Sequence, residues 1–288
     1  MSRCILRLRP VFFGEISPRA ASTYTSNADL ANALEKWKGG AVDLAVSGAV
    51  ARLRLNRPEK SNCLSGEMMV QLRKRSEELA SLSEPGVLVV EGVGKSFCSG
   101  ADLGFVKEVS DPVIGSAYYQ FMFGTLRNIR TSPLVSVARL HGHCLGGGSE
   151  IATSCDLRFA HKDAKIGFLQ ARMGIVPTWE GAHYLPSIVG RSSALRLQTT
   201  ASIITAQEAK DLGYVDVIYE KDEEFEELIS SMLKNGAEVC KAQKAMIDAT
   251  GKGEEAKLAV IRSVWGGKAQ KQAIQRQLDA VVNKKSKK

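Results

Sequence analysis

The chain has 288 residues, 44% hydrophobic and 24% charged, a balance that excludes a disordered or collagen-like polymer and suffices for a buried core without covalent staples. Its formal charge of +8 is concentrated at the ends: residues 1–28 carry +3 and residues 282–288 carry +4, leaving about +1 for the 253 residues between. A nucleic-acid binder usually shows a basic face on a folded domain, so nucleic acid is the weakest partner assignment here.

Residues 1–28 hold Arg3, Arg7, Arg9 and Arg19 against a single acid, Glu15, and end rich in Ser and Thr. That is the composition of a mitochondrial transit peptide and lacks the apolar stretch of a secretory signal; a short disordered leader with no address is the alternative. Strand alternation follows at Val50–Leu55, closed by the turn signal Asn56-Arg57-Pro58. Ser65 then caps an expected helix with Met68, Met69, Leu72, Leu79 and Leu82 at helical spacing, stopped by Pro85-Gly86. The apolar run at 87–90 reads as a buried strand, and 113–130 as mostly helix. Further strands are expected at 134–138, 157–160, 165–168 and 215–219, with a helix starting near Ser149. From about 201 onward the remaining segments read as helices, so an α/β body gives way to a helical subdomain.

No apolar run reaches the ~18–20 residues of a membrane helix, which makes a soluble protein the expectation. Cysteines 4, 63, 98, 144, 155 and 240 show no CxxC pair or metal-ligand rhythm and are expected as reduced thiols of an intracellular protein.

Two glycine-bearing turns carry the chemistry: Phe97-Cys98-Ser99-Gly100-Ala101-Asp102-Leu103, and His141 through Glu150 with Gly146-Gly147-Gly148 inside it. Neither matches a phosphate loop, because the Gly-Lys-Ser/Thr ending is missing and no GxGxxG is followed by a suitably spaced acid. Such turns expose backbone N–H groups, and two N–H groups aimed at one oxygen form an oxyanion hole. Taken alone, Glu150 is a first-turn carboxylate favoured by the helix dipole, and Trp179 and Trp265 are core aromatics. His141 and His143 lack zinc-site spacing. Arg57 and Lys60 are solvated charges.

At LNRPEKSNCL (55–64), FCSGADL (97–103), HGHCLGGGSEIATSCDLRFA (141–160), KIGFLQARMGIVP (165–177) and ITAQEAKDLGYVDVI (204–218), the chain resembles the crotonase, or enoyl-CoA hydratase/isomerase, superfamily. The resemblance implies a crotonase-like spiral of ββα units, expected over 29–200. A C-terminal helical trimerisation and lid region with a basic tail is expected over 201–288. It also implies an acyl-CoA partner and a homotrimer or dimer of trimers. The thioester oxygen is expected at the N–H groups of Ala101 and Gly147, with Gly100 and Gly146 beside them. Lys60, Asn62 and Leu64 are expected along the CoA groove, where Arg57 and Lys60 could meet CoA phosphates.

Hydration of an enoyl thioester is served by two carboxylates. By resemblance one stands at Glu150, but the other position holds Gln170, which cannot ionise. Glu180 is a candidate substitute. GIVPTWEG (174–181) and SVWGGKAQKQAI (263–274) are similar to a narrower group, the ethylmalonyl-CoA decarboxylases, which implies decarboxylation of ethylmalonyl-CoA, and of methylmalonyl-CoA as a second substrate, to the saturated acyl-CoA. The resemblance implies removal of side products of promiscuous carboxylation and a cytosolic location, against the mitochondrial reading of the leader. Thr178, Trp179 and Trp265 are expected in a dry pocket around the departing carboxylate, with Glu150 as candidate proton donor; no cofactor or metal is expected. The alternatives are an enoyl-CoA hydratase/isomerase using Glu150, and a non-catalytic RNA- or acyl-CoA-binding relative.

Overall fold

In the computed structural model, residues 27–108, 110–179 and 181–285 are described. The leader expected over 1–28 lies outside them apart from Asn27 and Ala28, as do Glu180 and the last three residues of the basic tail. Asn27 opens helix α1 (Asn27–Leu34), and strands β1 (Ala41–Ser47) and β2 (Val50–Asn56) then form a hairpin around Gly48 at φ 53°. In β2 the alternation separates two faces. Ala51, Leu53 and Leu55 are fully buried, while Arg52 and Arg54 reach across the other face to Glu91 of the next strand at 3.3 and 2.8 Å.

Helix α2 (Gly66–Glu78) starts at Ser65, whose hydroxyl accepts from Met68 N–H at 3.1 Å and satisfies one of the first-turn donors. It buries Met68, Met69 and Leu72. Strand β3 (Val87–Gly92) lies parallel to β2, and its continuous apolar run reflects burial on both faces: Leu88 and Val90 enter the main core, Val87 and Val89 a second one. Helices α3 (Leu103–Glu108) and α4 (Pro112–Thr131) precede β4 (Val135–Leu140), β5 (His143–Leu145) and α5 (Gly147–Ser154). Strands β6 (Leu157–His161) and β7 (Lys165–Gly167) follow, then α6 (Gly181–Thr200), β8 (Ile203–Thr205), α7 (Ala206–Asp211) and β9 (Val217–Tyr219).

The strands form a six-stranded sheet, β1-β2-β3-β4-β6-β9, parallel except for the hairpin, and a three-stranded sheet, β5-β7-β8. Chain order steps between them: β4 leads to β5 and α5, and β6 leads to β7 and α6. A parallel backbone pairing of Cys98 with Cys144 continues this pattern for the turn after β3. This is a spiral of strand-strand-helix units. Strands β8 and β9 lie beyond residue 200 yet complete both sheets, β8 against β7 and β9 against β6.

Four helices close the chain: α8 (Asp222–Leu233), α9 (Ala237–Asp248), α10 (Glu254–Val264) and α11 (Lys268–Lys285). Phe225 and Ile229 of α8 and Cys240 of α9 cover the second face of the large sheet. Helices α10 and α11 instead leave Ile261, Trp265, Ile274, Leu278 and Val281 exposed. No helix among the described residues is long and apolar enough to cross a membrane.

Candidate active site

The two glycine turns meet because their flanks pair as short parallel strands. Phe97 and Cys98 donate their N–H groups to His141 and His143 carbonyls at 2.8 and 2.9 Å, and Leu145 N–H returns to Cys98 O at 2.9 Å. Gly100, at φ 104°, turns the chain so closely that a Cβ there would stand 3.1 Å from Gly147 N. Leu64 fixes this turn on both sides. Its N–H donates to Gly100 O at 2.8 Å and its carbonyl accepts from Asp102 N–H at 3.0 Å. Among the described residues nothing accepts a hydrogen bond from the N–H of Ala101, between those two, or from that of Gly147, the first residue of α5. Two free donors are thus brought side by side at the positive end of a helix, the electrostatic arrangement that stabilises a developing oxyanion. Gly146 spends its own N–H on Gly167 O at 2.8 Å, tying the turn to β7.

Trp179 roofs the Gly147 end of this pair. A Cβ at Gly147 would overlap the six-membered ring of the indole, and Trp179 is only 2% exposed. What holds Trp179 there is Glu150. The Oε2 atom accepts from the N–H groups of Trp179 at 2.6 Å and Gly181 at 2.9 Å. The Oε1 atom accepts from Thr178 N–H at 3.3 Å and from Gln170 Nε2 at 2.7 Å. Burial pushes the Glu150 carboxyl up to about 7, against the lowering effect of these four donors. A carboxylate surrounded by four donors is a clamp on segment 178–181, and Gln170 is the partner whose amide can turn over when Glu150 carries a proton. Gln170 Oε1 is buried with no hydrogen-bond partner.

An aromatic row runs outward from the roof. Trp179 meets Tyr118 edge-on with centroids 5.9 Å apart, Tyr118 meets Phe105 at 5.5 Å, and Phe105 meets Trp37 at 5.7 Å. Tyr118 comes from the apolar stripe of α4 that also carries Phe121, Met122 and Leu126, and its buried hydroxyl has no acceptor for its proton among the described residues. Sequence reasoning missed it, although a tyrosine on an otherwise apolar stripe was the available signal.

Other expected residues fall differently. Lys60 ends an exposed 3-10 turn, Pro58–Lys60. Asn62 does not face a groove: it is fully buried at φ 55°, its Oδ1 accepting from Arg57 N–H at 2.8 Å and its Nδ2 donating to Val93 O and Ser96 O at 2.9 and 2.6 Å. Saturated in this way, it holds the loop in shape. Leu64 acts through its backbone, with its side chain in the core. Arg57 is not a free solvated charge, because it pairs with Asp102 at 2.8 Å. Thr178 sits beside the Glu150 clamp. Trp265 does not share Trp179's enclosure: it stands 75% exposed at the end of α10, next to Ile261 and Arg262, because none of the described residues covers it. Glu180, the candidate second acid, lies outside the described residues.

The described cysteines 63, 98, 144, 155 and 240 are free thiols, and burial raises those of Cys98 and Cys155 to about 12.

A model of the enoyl-CoA hydratase/isomerase family matches residues 45–287. A relative from Xenopus tropicalis named ethylmalonyl-CoA decarboxylase is 34% identical over 275 residues, covering 89% of this chain and 91% of the relative. Among solved structures, an enoyl-CoA hydratase from Thermoplasma volcanium superposes with a TM-score of 0.75 at 28% identity, covering 82% of this chain and 96% of that one. A Thermobifida fusca structure in complex with acetoacetyl-CoA superposes with a TM-score of 0.67 at 26% identity, over 82% and 95% of the two chains.

Proposed function

The chain belongs to the enoyl-CoA hydratase/isomerase family and has its crotonase fold, and from that premise we infer that it is a carboxy-lyase that decarboxylates ethylmalonyl-CoA. Gln170 carries this reading. The partner of Glu150 is an amide that donates to it at 2.7 Å, so residues 150 and 170 do not form the pair of carboxylates that takes and gives protons on one water. What the site does offer is a pair of donors for negative charge.

The reaction needs little more. The substrate's C–C bond to its free carboxylate breaks, CO2 leaves, and the bonding electrons move through the α-carbon to the thioester oxygen. Hydrogen bonds from Ala101 and Gly147 N–H stabilise the resulting enolate and the transition state before it; one such donor typically contributes about 10²–10³ in rate. The Trp179 roof keeps water from the oxygen, so those bonds act in a medium of low polarity. Protonation of the α-carbon then yields butyryl-CoA. Glu150, at about 7, holds a proton part of the time near neutral pH and is the candidate source.

The acetoacetyl-CoA complex of the Thermobifida fusca structure supports an acyl-CoA substrate here, and the exposed turn at Lys60 is the proposed contact for the CoA. The exposed apolar residues of α10 and α11, Trp265 foremost, support assembly as a homotrimer. The deciding experiment offers the purified protein malonyl-, methylmalonyl-, ethylmalonyl- and crotonyl-CoA and follows CO2 release and hydration together. Fastest CO2 release from ethylmalonyl-CoA with little crotonyl-CoA hydration is expected; comparable hydration would make it a hydratase.

A further inference from the structure

Tyr118 is the unexplained group at this site. Buried hydroxyls are nearly always hydrogen-bonded, and a ligand that supplies the missing partner is one physical reason for an exception. Among the described residues the Tyr118 hydroxyl has no acceptor for its own proton: its ring stands edge-on to Trp179, which covers Gly147 and whose indole N–H can only donate to it. Beside the Trp179 indole, the titratable groups it feels are Glu150 and Cys98, which place the hydroxyl at the enclosed end of the site. Phe105 and Trp37 back the ring with apolar surface. A donor is therefore buried among largely apolar side chains, one indole away from the Gly147 end of the N–H pair.

The substrate has one acceptor group that its product lacks, the free carboxylate. We propose that the Tyr118 hydroxyl donates a hydrogen bond to that carboxylate, making Tyr118 the residue that selects 2-carboxyacyl thioesters over plain acyl thioesters. The inference rests on the decarboxylase reading. Its chemistry suits a leaving group: a neutral donor orients the carboxylate so that the breaking bond stands across the thioester plane, without the ion pairing that would stabilise the anion against departure. Burial holds the phenol well above its ordinary value, so it remains a donor throughout the neutral range.

The test begins with CO2 release from ethylmalonyl-CoA by the unmodified protein; its absence sinks this inference together with the decarboxylase reading. With release established, Tyr118→Phe is expected to lower kcat/KM for ethylmalonyl-CoA by about 10- to 100-fold, mostly through KM. Inhibition by butyryl-CoA should stay within about twofold, because the product has no carboxylate to lose. An equal weakening of both, or of neither, overturns the inference while leaving the decarboxylase reading intact. Should the variant fold poorly, ¹³Cζ-labelled tyrosine placed at 118 in the otherwise unmodified protein decides. Its resonance should move on binding an inert thioether analogue that keeps the carboxylate and stay put with butyryl-CoA; equal movement with both overturns the inference.

Discussion

The start of α5 and the end of the chain treat aromatic surface in opposite ways. Around Gly147–Glu150, four donors converge on one carboxylate and an indole fills the space over a glycine. At α10 and α11, Trp265 is 75% exposed, and Ile261, Ile274, Leu278 and Val281 are exposed with it. Trp179 and Trp265 look equivalent as residue types, and both lie close to glycine, Gly181 after the first and Gly266-Gly267 after the second. The difference is whether a buried polar anchor within the same chain fixes the segment. Preorganised chemistry needs that anchor, and an association surface does not.

Removing the anchor should give the largest effect. Glu150→Ala leaves three backbone donors and the Gln170 amide without an acceptor, so a loss of about 3–5 kcal/mol in urea unfolding is expected, with quenching changes at Trp179. Unchanged stability would mean that segment 178–181 is held by something else. Next comes Gly147→Ala, whose methyl would occupy the indole's place. Decarboxylation should fall about 10²–10³-fold in kcat with the far-ultraviolet spectrum unaltered.

Glu150→Gln sharpens the contrast by keeping the clamp without its titration. The amide oxygen can face Trp179 and Gly181 N–H while the Gln170 amide turns over to accept from the new NH2 group. The folded Glu150 holds its proton more tightly than the unfolded one, about 7 against 4.5. Its contribution to stability is therefore full below about pH 4.5 and lost as pH rises through about 7, by roughly 3 kcal/mol. Thermal unfolding should show the unmodified protein losing stability relative to the variant over that window; parallel pH curves would place the proton elsewhere. Normal turnover by Glu150→Gln would remove Glu150 as the proton source. The smallest effect on the folded chain is expected at the other region: Trp265→Ser should shift unfolding by less than about 0.5 kcal/mol while lowering the assembled fraction in sedimentation.

Much of the fold was readable where local pattern and tertiary role agree. The Val50–Leu55 alternation became β2, the 87–90 run became a strand buried on both sides, and Ser65 became a helix cap. Helix α6 escaped notice because Pro186 lies inside it and Gly190, at φ 76°, breaks its periodicity. Strand β1 escaped because it is a sheet edge whose later residues are mostly exposed. At the site, the two glycine turns announced themselves, since glycines and a following helix are local facts. The clamp did not, because it joins Glu150 to residues 28 to 31 positions away through backbone N–H groups that every sequence possesses. Asn62 misled for the converse reason: a polar residue in a family groove segment gives no local sign that its amide is already saturated.

The bare Cα of Gly147 is also half of a shape shared with Trp179. One position's missing side chain is the other's berth, so their substitutions cannot be scored independently. A larger residue at 147 becomes tolerable only with a smaller one at 179. The two would have to change as a pair, and any relative with a side chain at the first position must have rebuilt the ceiling over its enolate.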